Sequence, residues 1–266
     1  AESHFPLESV IDELAHAIDM DPIEFRLKNR LHEGDDLCSA PGKVVSTVWV
    51  EEAVRAGAKA IGWERRSSKS AANSAARKRG IGMAMVIHSC GSNPAGTSEA
   101  EVAIDGDGRV SLFSGTPDQG SEQQTTLRQM VAEIFGVALD DVRGANADTS
   151  TCPYDSGPFS SRTVYATGIA ASRAAEEAKK KALEQAAFLL KRERADLEIG
   201  DHSVCVRSEP SRKLGLGEIA RAAGGLISGK GIHNGKDDHL FAYGFAAAFA
   251  EVEVDSETGY VRVLRY

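Results

Sequence analysis

The sequence predicts an α+β protein in which helices pack on mixed or antiparallel sheets. Three observations lead to this fold class: a helical opening segment, several strand pairs joined by short turns, and helices that fall irregularly between the strands. A regular alternation of strands and helices would instead predict a doubly wound parallel sheet. The same pattern divides the chain into a helical segment at 1–65, a linker at 66–79 and an α+β domain at 80–266.

The opening segment has apolar residues at helical spacing, which predicts one apolar helix face. That face consists of Val10, Ile11, Leu14 and Ile18. A second helix is expected to start at Asp21-Pro22, because aspartate is a favoured N-cap and proline is favoured in the first helical position. A third helix is expected from about 48 to 60 and would be stopped by Gly62.

Residues 66–79 have no apolar periodicity and are rich in Ser, Ala, Lys and Arg, which favours a linker. A buried strand is expected at 81–87. Strands at 100–104 and 110–113 flank the turn Asp105-Gly106-Asp107-Gly108, which is a β-hairpin signal. Further strands are expected at 197–199 and 203–206, with a last hairpin of 247–254 and 260–264.

Three helices are expected in the second part of the chain. One runs from about 123 to 135 and ends at Gly136, a second runs from about 163 to 191, and a short one covers 216–223. The second of these should bury Ile169, Ala170, Ala174, Leu183, Ala186 and Leu190.

Composition and cysteine spacing argue against several classes of function. The net charge of -8 argues against a nucleic-acid partner, since phosphate binding relies on clustered Lys and Arg. Neither a signal peptide nor a bilayer-length apolar run is present, so a cytoplasmic protein without membrane association is expected. The four cysteines are far apart and form no Cys-x-x-Cys pair, so no metal site or iron–sulfur cluster is predicted from this chain.

Two polar, glycine-containing loops open directly into predicted helices, at 114–126 and at 156–163. A helix start presents unpaired backbone N–H groups and the positive end of the helix dipole, an arrangement that suits an anion such as phosphate. Glycine permits close backbone approach to a ligand, and Arg162 could add a charge-assisted contact. The alternative is that both loops are merely capped helix starts.

Two other features point less clearly to a site. Residues 224–231 imitate a phosphate-binding loop, but no Ser or Thr follows Lys230, and the segment comes after a helix. His88 ends an apolar strand, where a histidine is most simply a structural residue.

At the two loops the chain resembles the molybdenum hydroxylases, the family of xanthine dehydrogenase, aldehyde oxidase, carbon monoxide dehydrogenase and 4-hydroxybenzoyl-CoA reductase. Gly115–Gly120 and the helix after it are similar to the family's Gly-Gln-Gly loop, and Ala147-Asp148-Thr149 with Gly157–Thr163 is similar to its second pterin-contacting loop. Ser161-Arg162-Thr163 is closest to the hydroxybenzoyl-CoA reductase and carbon monoxide dehydrogenase members. Residues 8–35 and 251–264 also resemble family segments, so the resemblance covers almost the whole chain.

The resemblance implies a molybdenum-cofactor-binding domain that serves hydroxylation of an aldehyde or an aromatic or N-heterocyclic substrate with water-derived oxygen. The implied cofactor is molybdenum-molybdopterin, with Fe-S and, in some members, FAD on other domains or subunits. The implied partners are the remaining parts of the same large subunit, iron-sulfur and flavin subunits or domains, and a small-molecule substrate. The implied cofactor-binding residues are Gln119, Gly120, Ser121, Phe159, Ser160, Ser161, Arg162 and Thr163, and His88 would line the substrate site.

Two departures from the family pattern leave alternatives open. Ser121 and Glu122 stand where the family has Gln and Gly, and a carboxylate fits poorly beside an anionic pterin phosphate. The family's Glu base and its first cofactor loop fall outside 1–266, and the chain starts without Met and stops in a strand-like run. We therefore expect a fragment that has no catalytic residue and is inactive alone. The alternatives are a non-catalytic paralogue acting in assembly or cofactor delivery, and a simple phosphate-ligand-binding protein.

Overall fold

The structure is a computed structural model that describes residues 3–36, 42–66, 76–89, 96–235, 240–241 and 243–266. The chain forms two compact units, Ala1–Ser89 with His239–Tyr266, and Cys90–Asp238. Among the described residues, no helix is long and apolar enough to cross a membrane. Most of the predicted linker, 67–75, lies outside the described residues, and the first long strand already begins at Arg77. The division at 66–79 stays a prediction.

The regular elements carry the following labels and bounds. The helices are α1 (His4–Ala17), α2 (Pro22–Lys28), α3 (Val50–Ile61), α4 (Gln123–Phe135), α5 (Gly168–Leu190) and α6 (Leu216–Ala222). The strands are β1 (Val44–Val45), β2 (Arg77–Ser89), β3 (Thr97–Asp105), β4 (Val110–Ser114), β5 (Val142–Asn146), β6 (Leu197–Gly200), β7 (Ser203–Val206), β8 (Glu209–Gly215), β9 (Leu226–Asn234), β10 (Leu240–Phe241), β11 (Tyr243–Asp255) and β12 (Val261–Arg265). The α+β prediction is confirmed.

The first unit is built on the antiparallel sheet β12-β11-β2, and β1 pairs in parallel with β10. β2 and β11 pair along their full lengths, from Tyr243 opposite Ser89 to Asp255 opposite Arg77. α2, α3 and this sheet enclose a small apolar core. Its buried members are Ile23, Leu27, Val50, Val54, Ile61, Trp63, Met83 and Phe249.

The start of α2 follows the sequence prediction, because the Asp21 side chain accepts hydrogen bonds from the Ile23 and Glu24 amides. The predicted apolar face of α1 behaves differently. Leu14 is 50% exposed and Ile18 is 58% exposed, so this face is not covered within its own unit. α1 is instead held to α2 by the buried Arg26, which pairs with carboxylates on α1.

The second unit is built on the four-stranded sheet β5-β4-β3-β9, in which β4 and β5 are parallel and the other pairs are antiparallel. α4 and α5 pack on the sheet and close the main core, and a smaller sheet, β6-β7-β8, joins the same core. The hairpin predicted around 105–108 is present, with Ile104 opposite Val110.

β9 packs unusually close to α5. A Cβ on Gly229 would overlap Ala174 O and Ala178 N, and one on Gly231 would overlap Ala170 O. The alanines of α5 along this line are fully buried, so small residues on both elements let the two backbones meet. The glycines that imitate a phosphate-binding loop at 224–231 are therefore explained in part by helix–strand packing.

The long helix predicted from 163 begins differently. Residues Thr163–Thr167 form a π turn, and regular α-helix starts only at Gly168. Arg162 and Thr167 both bind the Asp155 side chain, so the entry to the helix is tied to the preceding loop. Such π turns occur often at functional sites.

Candidate functional site

The two loops singled out from the sequence lie at one edge of the four-stranded sheet. β4 and β5 are parallel and both end at this edge, while the antiparallel β3 begins there, with Ala100 opposite Ser114. The first loop, 115–122, follows β4, and the second loop, 147–162, follows β5. Strand topology thus brings the loops together.

Direct contacts join the first loop to the second. A Cβ on Gly115 would lie 2.5 Å from Pro153 O and 3.1 Å from Asp155 N, so only glycine fits without displacing backbone. At the helix starts, Gln123 Nε2 donates to Thr163 Oγ1 at 3.4 Å. Thr163, predicted from sequence, therefore meets the start of α4.

The first loop uses several of its own backbone donors. Gln119 N donates to Gln123 Oε1 at 3.1 Å, and Gly120 N donates to Asp118 Oδ1 at 2.8 Å. Gln124 N, in the first turn of α4, lies 3.5 Å from Asp118 Oδ2, so this carboxylate stands where the simple anion-binding alternative places a phosphate. The exposed side chains of Gln119 and Ser121 remain available to a ligand.

Glu122 precedes α4 in a left-handed conformation, with φ of 56°. Its carboxylate accepts a hydrogen bond from Thr125 Oγ1 at 3.0 Å and is exposed. A positive φ is uncommon for residues other than glycine. The family resemblance places a glycine at this position, which is the residue that adopts this backbone without strain.

The second loop has a more strained backbone. Ser160 and Ser161 are consecutive residues with positive φ, 51° and 52°, and Gly157 has a φ of 103°. Residues held in such sparsely populated conformations cluster at ligand clamps and active sites and cost of order 1–3 kcal/mol each. These two predicted serines therefore lie in a segment that its surroundings must hold in place.

Asp155 is a central residue of the second loop that the sequence did not reveal. Its side chain is fully buried and accepts hydrogen bonds from Ser98 Oγ at 2.6 Å, Thr167 Oγ1 at 2.9 Å and Gly157 N at 2.7 Å. Arg162 also pairs with it, with NH1 3.3 Å from Oδ1. In sequence, Asp155 beside Ser156-Gly157 looks like an ordinary turn residue, so no local pattern marks it.

Arg162, predicted from sequence, is only 1% exposed. Its guanidinium lies over the ring of the predicted Phe159, 5.5 Å from the centroid. Among the described residues, Nε and NH2 have no hydrogen-bond partner, and both nitrogens lie beside Gly96, where a Cβ would come within 3.0 Å of Nε. Buried polar atoms are nearly always paired, so these two donors are exceptions within the described part of the chain.

Another buried atom without a partner in the described part of the chain is Thr116 Oγ1, on the first loop. Both loops thus contribute buried polar groups at the same sheet edge. Phe159 is 43% exposed and leaves an aromatic surface beside them.

His88, predicted to line a substrate site, belongs to the other compact unit. It lies near the end of β2 in the first unit, opposite Gly244 of β11, and its side chain is exposed. Its assignment stays a prediction.

Comparison with known proteins agrees with this architecture. The family model for the molybdopterin cofactor-binding domain matches residues 56–266. The xanthine dehydrogenase molybdenum-binding subunit of Escherichia coli is 32% identical over 82% of this chain and 30% of its own length. The carbon monoxide dehydrogenase large chain of Afipia carboxidovorans is 27% identical over 100% of this chain and 36% of its own length.

A solved structure of reconstituted CO dehydrogenase from Oligotropha carboxidovorans superimposes with a TM-score of 0.82 and 25% identity, covering 99% of this chain and 36% of that one. The chain therefore spans about a third of the length of the relatives it matches. The resemblance to molybdenum hydroxylases is confirmed, and the chain belongs to the molybdopterin cofactor-binding domain family.

Proposed function

We propose that this chain is a segment of the large subunit of a molybdenum hydroxylase and forms part of its molybdopterin pocket. The two loops at the sheet edge, 115–122 and 147–162, would hold the cofactor. The observation that carries the proposal is their direct junction, through Gly115 against Pro153 and Gln123 against Thr163, in a chain that matches the cofactor-binding family.

The side chains at this edge fit a pterin whose phosphate arm lies on the Arg162 side, because the carboxylates of Asp118 and Glu122 disfavour a phosphate at the start of α4. Arg162 offers two buried N–H groups without partners among the described residues, and Thr116 offers a buried hydroxyl. Guanidinium donors suit phosphate and carbonyl oxygens, and the exposed ring of Phe159 suits a flat heterocycle. Gln119 and Ser121 add polar groups on the solvent side of the first loop.

The molybdenum cofactor, when bound, supplies the redox centre for hydroxylation of an aldehyde or an aromatic or N-heterocyclic substrate with water-derived oxygen. The residues of this chain would bind and orient it: Gln119–Ser121 from one side and Phe159–Thr163 from the other. The general base would be a glutamate outside these 266 residues, so this chain by itself would not catalyse the reaction. Electrons would leave through iron–sulfur and flavin subunits or domains.

The decisive measurement is the molybdenum and pterin content of the native large subunit, captured with its companions by an antibody to this chain. We expect close to one molybdenum per large subunit, with iron in the same complex. A full-length subunit without molybdenum would refute the proposal and favour the non-catalytic assembly or delivery partner.

Variants in the full-length subunit localise the site. We expect Gln119→Ala and Phe159→Ala each to lower molybdenum content severalfold, because they remove contacts from opposite loops. Gln129→Ala is the matched control, since Gln129 is exposed further along α4 and away from the sheet edge. Equal losses in Gln119→Ala and Gln129→Ala would place the cofactor elsewhere.

The phosphate-binding alternative makes a different prediction. It requires this chain alone to bind inorganic phosphate with an affinity that titration calorimetry can measure. Asp118 disfavours that result at α4, because its carboxylate already accepts the Gly120 amide. Calorimetric binding of phosphate that Arg162→Ala abolishes would support the alternative.

A further inference from the structure

We infer that Asp155 is a positioning residue for the proposed cofactor loop, and this inference rests on the proposed function. Asp155 does not itself face the proposed cofactor, because its carboxylate is fully buried and surrounded by donors. It acts through the residues that follow it, by fixing the backbone of 157–162 and the guanidinium of Arg162.

The Asp155 carboxylate binds the loop that follows it at Gly157 and at Arg162, and we call this arrangement the clamp. One oxygen, Oδ1, accepts from Gly157 N at 2.7 Å and from Arg162 NH1 at 3.3 Å. The same Arg162 NH1 also donates to Gly157 O at 3.2 Å. A single carboxylate therefore holds both ends of the segment that contains the left-handed Ser160 and Ser161.

The other oxygen anchors the clamp to the rest of the unit. Oδ2 accepts from Ser98 Oγ at 2.6 Å, at the start of β3, and from Thr167 Oγ1 at 2.9 Å, in the π turn before α5. Ser98 and Thr167 are themselves fully buried. The loop is thus fixed against a core strand and the entry of a core helix.

The clamp also determines which N–H groups of Arg162 lack a hydrogen-bond partner among the described residues. NH1 is occupied by Asp155 and Gly157, and Nε and NH2 are left beside Gly96 without partners in the described part of the chain. With Asp155 neutralised, Arg162 would be a buried charge without its carboxylate partner, which destabilises its present position. The strained serines would also lose the constraint that keeps them left-handed.

The test uses the full-length large subunit in its native complex, purified as a folded species. Asp155→Asn keeps the side-chain shape and removes the charge. We expect molybdenum and released pterin per chain to fall by on the order of tenfold, the usual size of the effect of a residue that orients a ligand-holding group. Amide hydrogen exchange across 157–162 should become faster in the same variant.

Two further variants separate positioning from simple loss of stability. Ile104→Ala creates a cavity at the far end of β3, where Ile104 is fully buried, and should lower the unfolding midpoint without changing exchange in 157–162. Thr167→Val removes one donor to Asp155 without leaving a buried charge unpaired. It remains informative if Asp155→Asn does not fold, and it should lower cofactor content two- to threefold.

The outcomes are distinct. If cofactor content follows the unfolding midpoint in the same way for Ile104→Ala as for the Asp155 and Thr167 variants, the role of Asp155 is only structural and the inference is wrong. If wild-type complex contains no molybdenum, the proposed function fails. In that case, faster exchange in 157–162 of Asp155→Asn would still support the clamp, and unchanged exchange would refute it.

Discussion

Replacing Gly115 by alanine tests whether the two loops must touch. The new Cβ would lie 2.5 Å from Pro153 O, whereas an ordinary carbon–oxygen contact is about 3.4 Å, so the loops would have to separate by about 0.9 Å. The opposing atoms are backbone rather than the free end of a side chain, so relaxation is expensive. Insertions of this kind cost about 1–3 kcal/mol.

In a cooperatively unfolding unit of roughly 150–250 residues, that loss lowers the unfolding midpoint by roughly 2–12 °C. Differential scanning calorimetry of the full-length subunit measures this shift in the transition of the domain that contains Gly115. The molybdenum content of the same samples shows whether the displaced loops still hold the proposed cofactor, and we expect it to fall several-fold.

Gly200→Ala is the matched control for this experiment. Gly200 lies in the same unit, has no left-handed backbone, and its Cβ would come no nearer than 4.0 Å to Gly136 O. It should leave both the midpoint and the molybdenum content unchanged. A Gly115→Ala subunit that unfolds and binds molybdenum like Gly200→Ala would refute the proposed junction.

Three further predictions concern stability and are checked by urea unfolding. Gly231→Ala should cost about 3 kcal/mol or more, because its Cβ would overlap Ala170 O and force β9 away from α5; an unchanged midpoint would contradict that close packing. Glu122→Gly should stabilise by about 1 kcal/mol, since it relieves a φ of 56°, and a loss would mean that the carboxylate contact outweighs the strain. The hydrogen bond from Arg79, with other nearby arginines, holds the pKa of Glu253 below its ordinary value of 4.5. Its contribution is therefore fully present above pH 4.5 and is lost as the pH falls through the lowered pKa, and Glu253→Gln should remove that part of the pH dependence.

Elements whose formation depends on neighbouring residues were predictable from the sequence. The hairpin around 105–108 and the Asp21 N-cap both appear as expected, because each depends on residues within a few positions. The bounds of α4 were likewise predicted, since its apolar spacing and Gly136 are both local signals.

The apolar face of α1 shows where that reasoning stops. The helical spacing of the apolar residues predicts that Val10, Leu14 and Ile18 lie on one side of the helix, and α1 places them there. It does not say what covers that side, and within its own unit the face stays exposed. Burial is a tertiary property that spacing alone does not determine.

The candidate site likewise has features that the sequence predicts and features that depend on tertiary contacts. The sequence indicates its glycine and hydroxyl residues because polar, glycine-containing loops that open into helices suit an anion, but their roles depend on what lies opposite. Gly115 was expected to let a backbone approach a ligand, yet in the structure it lets one loop approach the other at Pro153. Local patterns do not reveal Asp155, because its partners Ser98 and Thr167 lie 57 and 12 residues away along the sequence. A pocket shared by two loops needs a close backbone contact between them, as at Gly115 and Pro153, and a buried residue that fixes one loop, as Asp155 does. Both depend on residues that meet only in the folded chain. Sequence patterns can therefore indicate which loops form such a site, whereas the structure is needed to identify the residues that fix the position of those loops.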